Sequence, residues 1–152
     1  MNTMGGFMSN NRELLERFYE EVMNRGNLSF IDEFCSPDYV EHDDDALSPD
    51  REGLKQHVAT IRQGFPDLHV TVEDILMDGD RVAARTRATG THRGNFAGLQ
   101  PTNKQVAIDG MDLVRVVDGK LAEHWGMMDE RGMMQQLGMM PGHGSMTLEF
   151  SA

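Results

Sequence analysis

Apolar positions change their spacing once along this chain, and the change separates a helical first part from a sheet-forming second part. Leu14, Leu15, Phe18, Tyr19, Val22 and Met23 recur at helical intervals behind Asn10 and Glu13, which have capping-box spacing, and Gly26 ends the run. Residues 1–9 ahead of it read as a flexible leader. Asn27 suits the N-cap of a short helix that buries Leu28, Ile31 and Phe34 and stops near Pro37, before a brief strand over 39–42. Ser48 and Pro49 then combine a cap with a proline at the first helical position, and Leu54, Val58 and Ile61 mark one face of that helix before Gly64 and Pro66.

From Leu68 the period becomes two. Leu68, Val70, Val72 and Leu76 alternate with polar residues as far as the Asp78-Gly79 turn, where a hairpin begins. Further strands are predicted over 81–92, 105–117 and 121–128, with a loop over 93–103 and a tight turn at Asp118-Gly119. Asp129 caps a last helix carrying Met133, Met134 and Leu137, and Gly138 stops it. Residues 139–152 form a tail, in which 146–150 could pair as an extra strand. Helices first and an antiparallel sheet afterwards define one α+β domain over 10–138. A long sheet that curls around the early helices encloses a pocket suited to a small apolar molecule.

Composition narrows the partners. A chain of 152 residues has room for one core, and 39% hydrophobic residues can fill it without disulfides or structural metal. A net charge of −11 opposes binding to phosphate backbones and anionic bilayers, so neither nucleic acid nor membrane is expected as a partner. Cys35 is the single cysteine, which leaves no internal disulfide or cysteine cluster and fits a reducing cytoplasm. The first residues carry no basic segment followed by an apolar stretch, and no window reaches the ~20 apolar residues of a membrane span. No cofactor fingerprint, nucleophile elbow or zinc-binding helix is present, so neither cofactor nor metal is expected.

Within this frame the most informative strand is 105–117, where one face reads Val106, Ile108, Gly110, Asp112, Val114, Val116. A single acid interrupts an apolar face. If that face lines the pocket, burial raises the carboxyl toward neutrality and Asp112 becomes a candidate general base or hydrogen-bond donor; otherwise it is a structural acid held by a Tyr hydroxyl or backbone amides. His92 and Asp74 share the parity of apolar neighbours but sit near strand ends. His42 stands beside Asp43, Asp44 and Asp45, a run that usually marks a solvated loop. His124 and Trp125 are adjacent on the last strand, so one of them faces the pocket. A two-residue loop at Asp118-Gly119 sets Asp112 opposite Trp125, whereas a three-residue bulged loop sets it opposite Gly126 and puts His124 on its face. Met127 and Met128 open a Met-rich stretch able to fill irregular apolar space. The other parity of strand 105–117 reads Ala107, Met111, Leu113, Val117, an apolar outer face that predicts a homodimer or higher homo-oligomer.

The segments GTHRGNFAGLQPTNKQV (residues 90–106) and DLVRVVDGKLAEHW (112–125) resemble the signature of SnoaL-like polyketide cyclases, with further support from YVEHD (39–43), GFPDLHV (64–70) and DERGMMQQLG (129–138). The resemblance implies a cone-shaped, nuclear-transport-factor-like α+β barrel. It also implies cofactor-free acid/base chemistry on an apolar or polycyclic carbonyl compound, typically an intramolecular aldol closure. In family cyclases the position matching Asp112 often holds a histidine, and the position after the Trp of EHW holds the acid taken as general base; here that place is Gly126. Asp112 or Asp129 would then take over, and His42 and Asp43 match positions that help line the pocket mouth. Two readings follow. One is a cyclase, isomerase or hydrolase with catalytic Asp112 and His124 and with His42, Asp43, His92, Trp125 and Met127 against the substrate. The other is a non-catalytic binding protein for a small hydrophobic metabolite.

Overall fold

The structure is a computed structural model that describes residues 3–140, with side chains from residue 10 onward. Helix α1 (Thr3–Phe18) passes directly into a π-helical turn, Tyr19–Asn24, and α2 (Phe30–Phe34) leads into strand β1 (Cys35–Glu41). α3 (Arg51–Gly64), β2 (His69–Asp78), β3 (Arg81–Thr91), β4 (Gln105–Val117), β5 (Lys120–Met128) and α4 (Glu130–Gln136) follow. α1 therefore begins inside the segment expected as a leader, and Asn10 lies within the helix instead of capping it. α3 starts one residue after Asp50, whose side chain accepts from the Gly53 N–H. Ser48 is not the cap; its hydroxyl donates to Asp50. Asp129 caps α4 through Gly132 N–H, and Gly138 takes φ +80° just beyond it, as the stop signals predict. The extra strand expected over 146–150 lies outside the described residues.

The five strands form one sheet in the order β1-β5-β4-β3-β2. Four are antiparallel neighbours, and β1 joins the edge parallel to β5, so the sheet is mixed. It curves without closing. Its concave face packs on Leu15, Phe18, Tyr19 and Val22 from the N-terminal helix and on Leu54, Val58 and Ile61 from α3, which together with Ile31, Phe34 and Val114 make the core.

Two bulges decide which residues face inward. In β2 the register slips between Val72 and Asp74, so the inward parity passes from Val70 to Ile75, which is buried, while Leu76 is 73% exposed. The expectation that Leu76 continues the buried alternation fails for that reason, and Asp74 turns outward to pair with Arg85. In β4–β5 the turn is the two-residue Asp118-Gly119 with both residues at positive φ, which right-twisted hairpins favour. The register nevertheless slips between Val116 and Arg115, one extra residue entering β5, so Leu121 and Ala122 are both buried and Asp112 comes to face Gly126.

Candidate active site

That bulge creates the site. Asp112 pairs with Gly126 and Val114 pairs with His124, so Asp112 and His124 lie on the concave face together, and Trp125 goes to the other side. The ring of His124 leans over the bare Gly126 backbone to place Nε2 2.7 Å from Asp112 Oδ1. A Cβ on residue 126 would stand 2.8 Å from His124 Cε1 and 3.0 Å from Asp112 Oδ1, so the absent side chain is what makes room for the contact.

The other carboxylate oxygen of Asp112 accepts a 2.5 Å hydrogen bond from Tyr19 Oη at the start of the π-helical turn. Asp112 is therefore not an isolated acid on an apolar face: it holds two hydrogen bonds from partners far away in sequence. Behind His124, β1 brings Glu41 into register, and His124 Nδ1 lies 2.7 Å from Glu41 Oε1. Glu41 is buried, and its second oxygen accepts from Tyr39 Oη at 2.7 Å. The Asp43 N–H adds a third bond at 3.0 Å.

The electrostatics follow from this chain of contacts. Burial alone would strip the proton from His124, but hydrogen bonds and charges from Asp112 and Glu41 outweigh it and raise the imidazole to about 10. The ring is an imidazolium at neutral pH. Burial pushes Glu41 upward, yet the bonds from His124, Tyr39 and Asp43 win and hold it below the ordinary carboxylate range. Burial, reinforced by the neighbouring carboxylates, lifts the Tyr19 and Tyr39 phenols well above theirs, so both remain donors.

The group sits in the wall of a cavity of about 660 Å³ between the sheet and α1 and α3, lined by Leu15, Phe18, Leu54, Val58, Ile108 and Val114 among others. Its mouth is acidic. Asp43, Asp44, Asp45, Asp109, Asp129 and Glu130 stand around it with Arg131, and burial plus Asp45 and Asp43 raises the Glu130 carboxyl. His42 and Asp43 line this mouth, and Met127 lies at its rim, 80% exposed. Among the described residues no group of three or more His, Cys, Asp or Glu side chains is arranged to hold a metal ion.

Two expected pocket residues are elsewhere. Trp125 faces the outer side of β5, where its ring stacks on His42 at 4.6 Å and lies under the Arg81 guanidinium. His92 is fully buried outside the cavity lining, stacked on Phe65, with Nδ1 accepting the Thr102 N–H. It ties down loop 93–103. Tyr19 supplies the Tyr hydroxyl that the sequence offers as a partner for Asp112 without singling out which tyrosine, and Glu41 is a member the sequence reading does not name. Tyr19 was hidden in an ordinary helical stripe, whereas Glu41 had a readable signal: it shares the strand parity of Tyr39, two residues before it.

A curved sheet that, with its packed helices, places Asp112 and His124 in the wall of a largely apolar cavity defines an α+β small-molecule pocket. The family model for SnoaL-like polyketide cyclases matches residues 13–137, and the chain belongs to that family. It is 28% identical over 118 residues to the nogalonic acid methyl ester cyclase of Streptomyces nogalater, covering 73% of this chain and 85% of that one. It is likewise 28% identical to the aklanonic acid methyl ester cyclase DnrD of Streptomyces peucetius, covering 77% of this chain and 83% of that one. Among solved structures, AclR of Streptomyces galilaeus, described as a proposed hydroxylase, superposes with a TM-score of 0.80 at 34% identity, covering 89% of each chain.

Proposed function

We propose that this protein is a cofactor-independent polyketide cyclase that closes a ring by intramolecular aldol addition, with Asp112 as the general base. The observation that carries the reading is the Asp112 carboxylate, braced by Tyr19 and His124, in the wall of an apolar cavity large enough for a polycyclic substrate. Each carboxylate oxygen offers more than one acceptor site, so Asp112 can take a proton from the carbon beside a carbonyl while keeping both braces. The enolate carbon attacks a second carbonyl carbon of the same molecule, a C–C bond forms, and the oxygen of that carbonyl becomes an alkoxide. The proton held by Asp112 returns to it, so the cycle is proton-neutral and needs no external oxidant or reductant. The His124 imidazolium, 2.7 Å from Asp112, supplies positive charge that steadies developing negative charge beside the base.

The acidic mouth favours a neutral ester over a free carboxylate, because the carboxylates around it repel an anion. The methyl ester cyclases to which the chain is similar act, by their names, on substrates whose acid is esterified. The test is turnover of ring-open polyketide methyl esters by the wild type and Asp112→Asn. The variant is expected to lose ~10²-fold or more, the scale of a general base, and to unfold ~1–3 kcal/mol more easily because the Tyr19 and His124 donors lose a charged acceptor. Full turnover in Asp112→Asn would sink the mechanism.

The outer sheet face supports a homodimer as the working form: Met111 is 56% exposed, Val117 40%, and Trp125 lies on the same side. A monomeric mass by light scattering at micromolar concentration would count against it. No helix among the described residues is long and apolar enough to cross a membrane, and a single free, buried cysteine fits a cytoplasmic setting.

A further inference from the structure

We infer that Glu41 is a positioning residue of this reaction: it grips the edge of the His124 ring opposite Asp112 and fixes which ring nitrogen meets Asp112 and in what charge state. The inference rests on the proposed role of Asp112 and adds a residue that acts only through its neighbour.

Glu41 is 5% exposed and carries a charge, a combination that costs free energy unless every oxygen is matched. Here each is matched. Oε1 accepts from His124 Nδ1 and from the Asp43 N–H, and Oε2 accepts from Tyr39 Oη. The carboxylate cannot turn without breaking several bonds at once, and it is held at the β1–β5 seam where Glu41 pairs with His124 in parallel register. A locked acceptor on Nδ1 forces that nitrogen to carry hydrogen. Nε2, 2.7 Å from the Asp112 carboxylate, must then carry hydrogen as well, since a lone pair there would face an anion.

The ionisable groups facing the ring are few. Asp112 comes from β4, Glu41 from β1 and Tyr19 from the π-helical turn through Asp112, with Tyr39 behind Glu41. Two anions on opposite edges of one imidazole keep it charged, and removing either relaxes that hold. Gly126 offers no side chain to steady the ring from the sheet, so the orientation depends on Glu41 and Asp112. A ring oriented by a third group is the arrangement acid/base and nucleophilic sites reuse on unrelated folds.

The experiment compares wild type, Glu41→Gln and Glu41→Asp by NMR titration of the His124 imidazole in the free protein, together with kcat and KM on ring-open polyketide methyl esters. Wild-type His124 is expected to stay charged through pH 8. In Glu41→Gln its midpoint should fall by about one pH unit or more, the scale on which one nearby opposite charge acts. The same variant should lose about tenfold in kcat with KM within about twofold, and Glu41→Asp should recover part of both. A neutral His124 at pH 7 in the wild type overturns the proposal even if neither variant folds. So does an unmoved midpoint in folded Glu41→Gln, or a loss confined to KM. Full turnover in Asp112→Asn would instead overturn the assignment of the base, while the NMR titration still decides whether Glu41 sets the state of His124.

Discussion

Adding one carbon at Gly126 tests the geometry of the site more directly than removing any charged group. The Cβ of Gly126→Ala would meet His124 Cε1 at 2.8 Å and both His124 Nε2 and Asp112 Oδ1 at 3.0 Å. Comfortable carbon contacts begin near ~3.5 Å. Residue 126 is paired within the β4–β5 ladder, so its backbone cannot retreat without breaking strand hydrogen bonds; the imidazole has to swing instead. Swinging it breaks the 2.7 Å contact with Asp112, a charge-assisted bond worth ~1.5–3 kcal/mol. Replacing a strand glycine returns ~0.5–1 kcal/mol of chain entropy. The balance is a loss of about 1–2 kcal/mol, or ~2–8 °C in Tm for a domain of this size. Thermal unfolding followed by fluorescence measures it, and the His124 resonance should move in the same variant. Gly126→Asp is the sharper case. The resemblance to family cyclases makes position 126 the place for an acid, so restoring it reads on paper as a gain of function. In this chain it should cost turnover, since the space for that side chain is already filled by His124. An unchanged Tm and an unmoved His124 resonance in Gly126→Ala would refute the packing argument, and a gain of cyclase activity in Gly126→Asp would show that the site tolerates both arrangements.

Other outcomes can be checked with the same material. His124 keeps its proton to about pH 10 when folded, against 6.5 for the free group, so its stabilising bonds are fully present below pH 6.5 and are lost as pH rises toward 10. Glu41 is held below its ordinary 4.5, so its contribution is present above pH 4.5 and is lost as acid protonates the folded carboxylate. Urea unfolding should therefore show greatest stability near pH 4.5–6.5 and an alkaline decline of up to ~1.4 kcal/mol per pH unit; a flat midpoint from pH 6.5 to 10 would contradict the charged His124. Cys35 is fully buried with its thiol pushed up to about 12, so the native protein should resist alkylation at pH 8 and Cys35→Ser should keep its turnover, loss of activity with a retained fold being the contrary result.

What could be read from the chain, and what could not, divides along one physical line. Helix and strand identity follow from periodicity, which is local, and most elements fall where Leu54, Val58 and Ile61, or the Asp78-Gly79 and Asp118-Gly119 turns, place them. Facing is different: one extra residue inverts the inward and outward sets of a strand, and nothing in a period-two pattern announces the insertion. Leu76, predicted by its parity to face inward, turns outward for that reason. In β5 the local trace of the bulge is that Leu121 and Ala122 are consecutive buried apolar residues, a pair that does not by itself say which strand carries the extra residue. Asp112 could thus be singled out as an unusual acid, but whether His124 or Trp125 joined it depended on a slip at Val116 that only tertiary packing fixes. The same dependence explains why Asp112 looked isolated. Its two braces come from Tyr19, ninety-three residues earlier, and from His124 across a shifted register, so the sequence offers a Tyr hydroxyl and His124 among the alternatives and leaves the choice to tertiary packing. Asp112 is an inner member of a hydrogen-bonded chain that runs from Tyr19 through Asp112, His124 and Glu41 to Tyr39. The chemistry available to the cavity is set by that chain: charge is shared across β4, β5 and β1, and a change at any member, including the glycine that leaves room for the ring, alters the proton affinity of the rest.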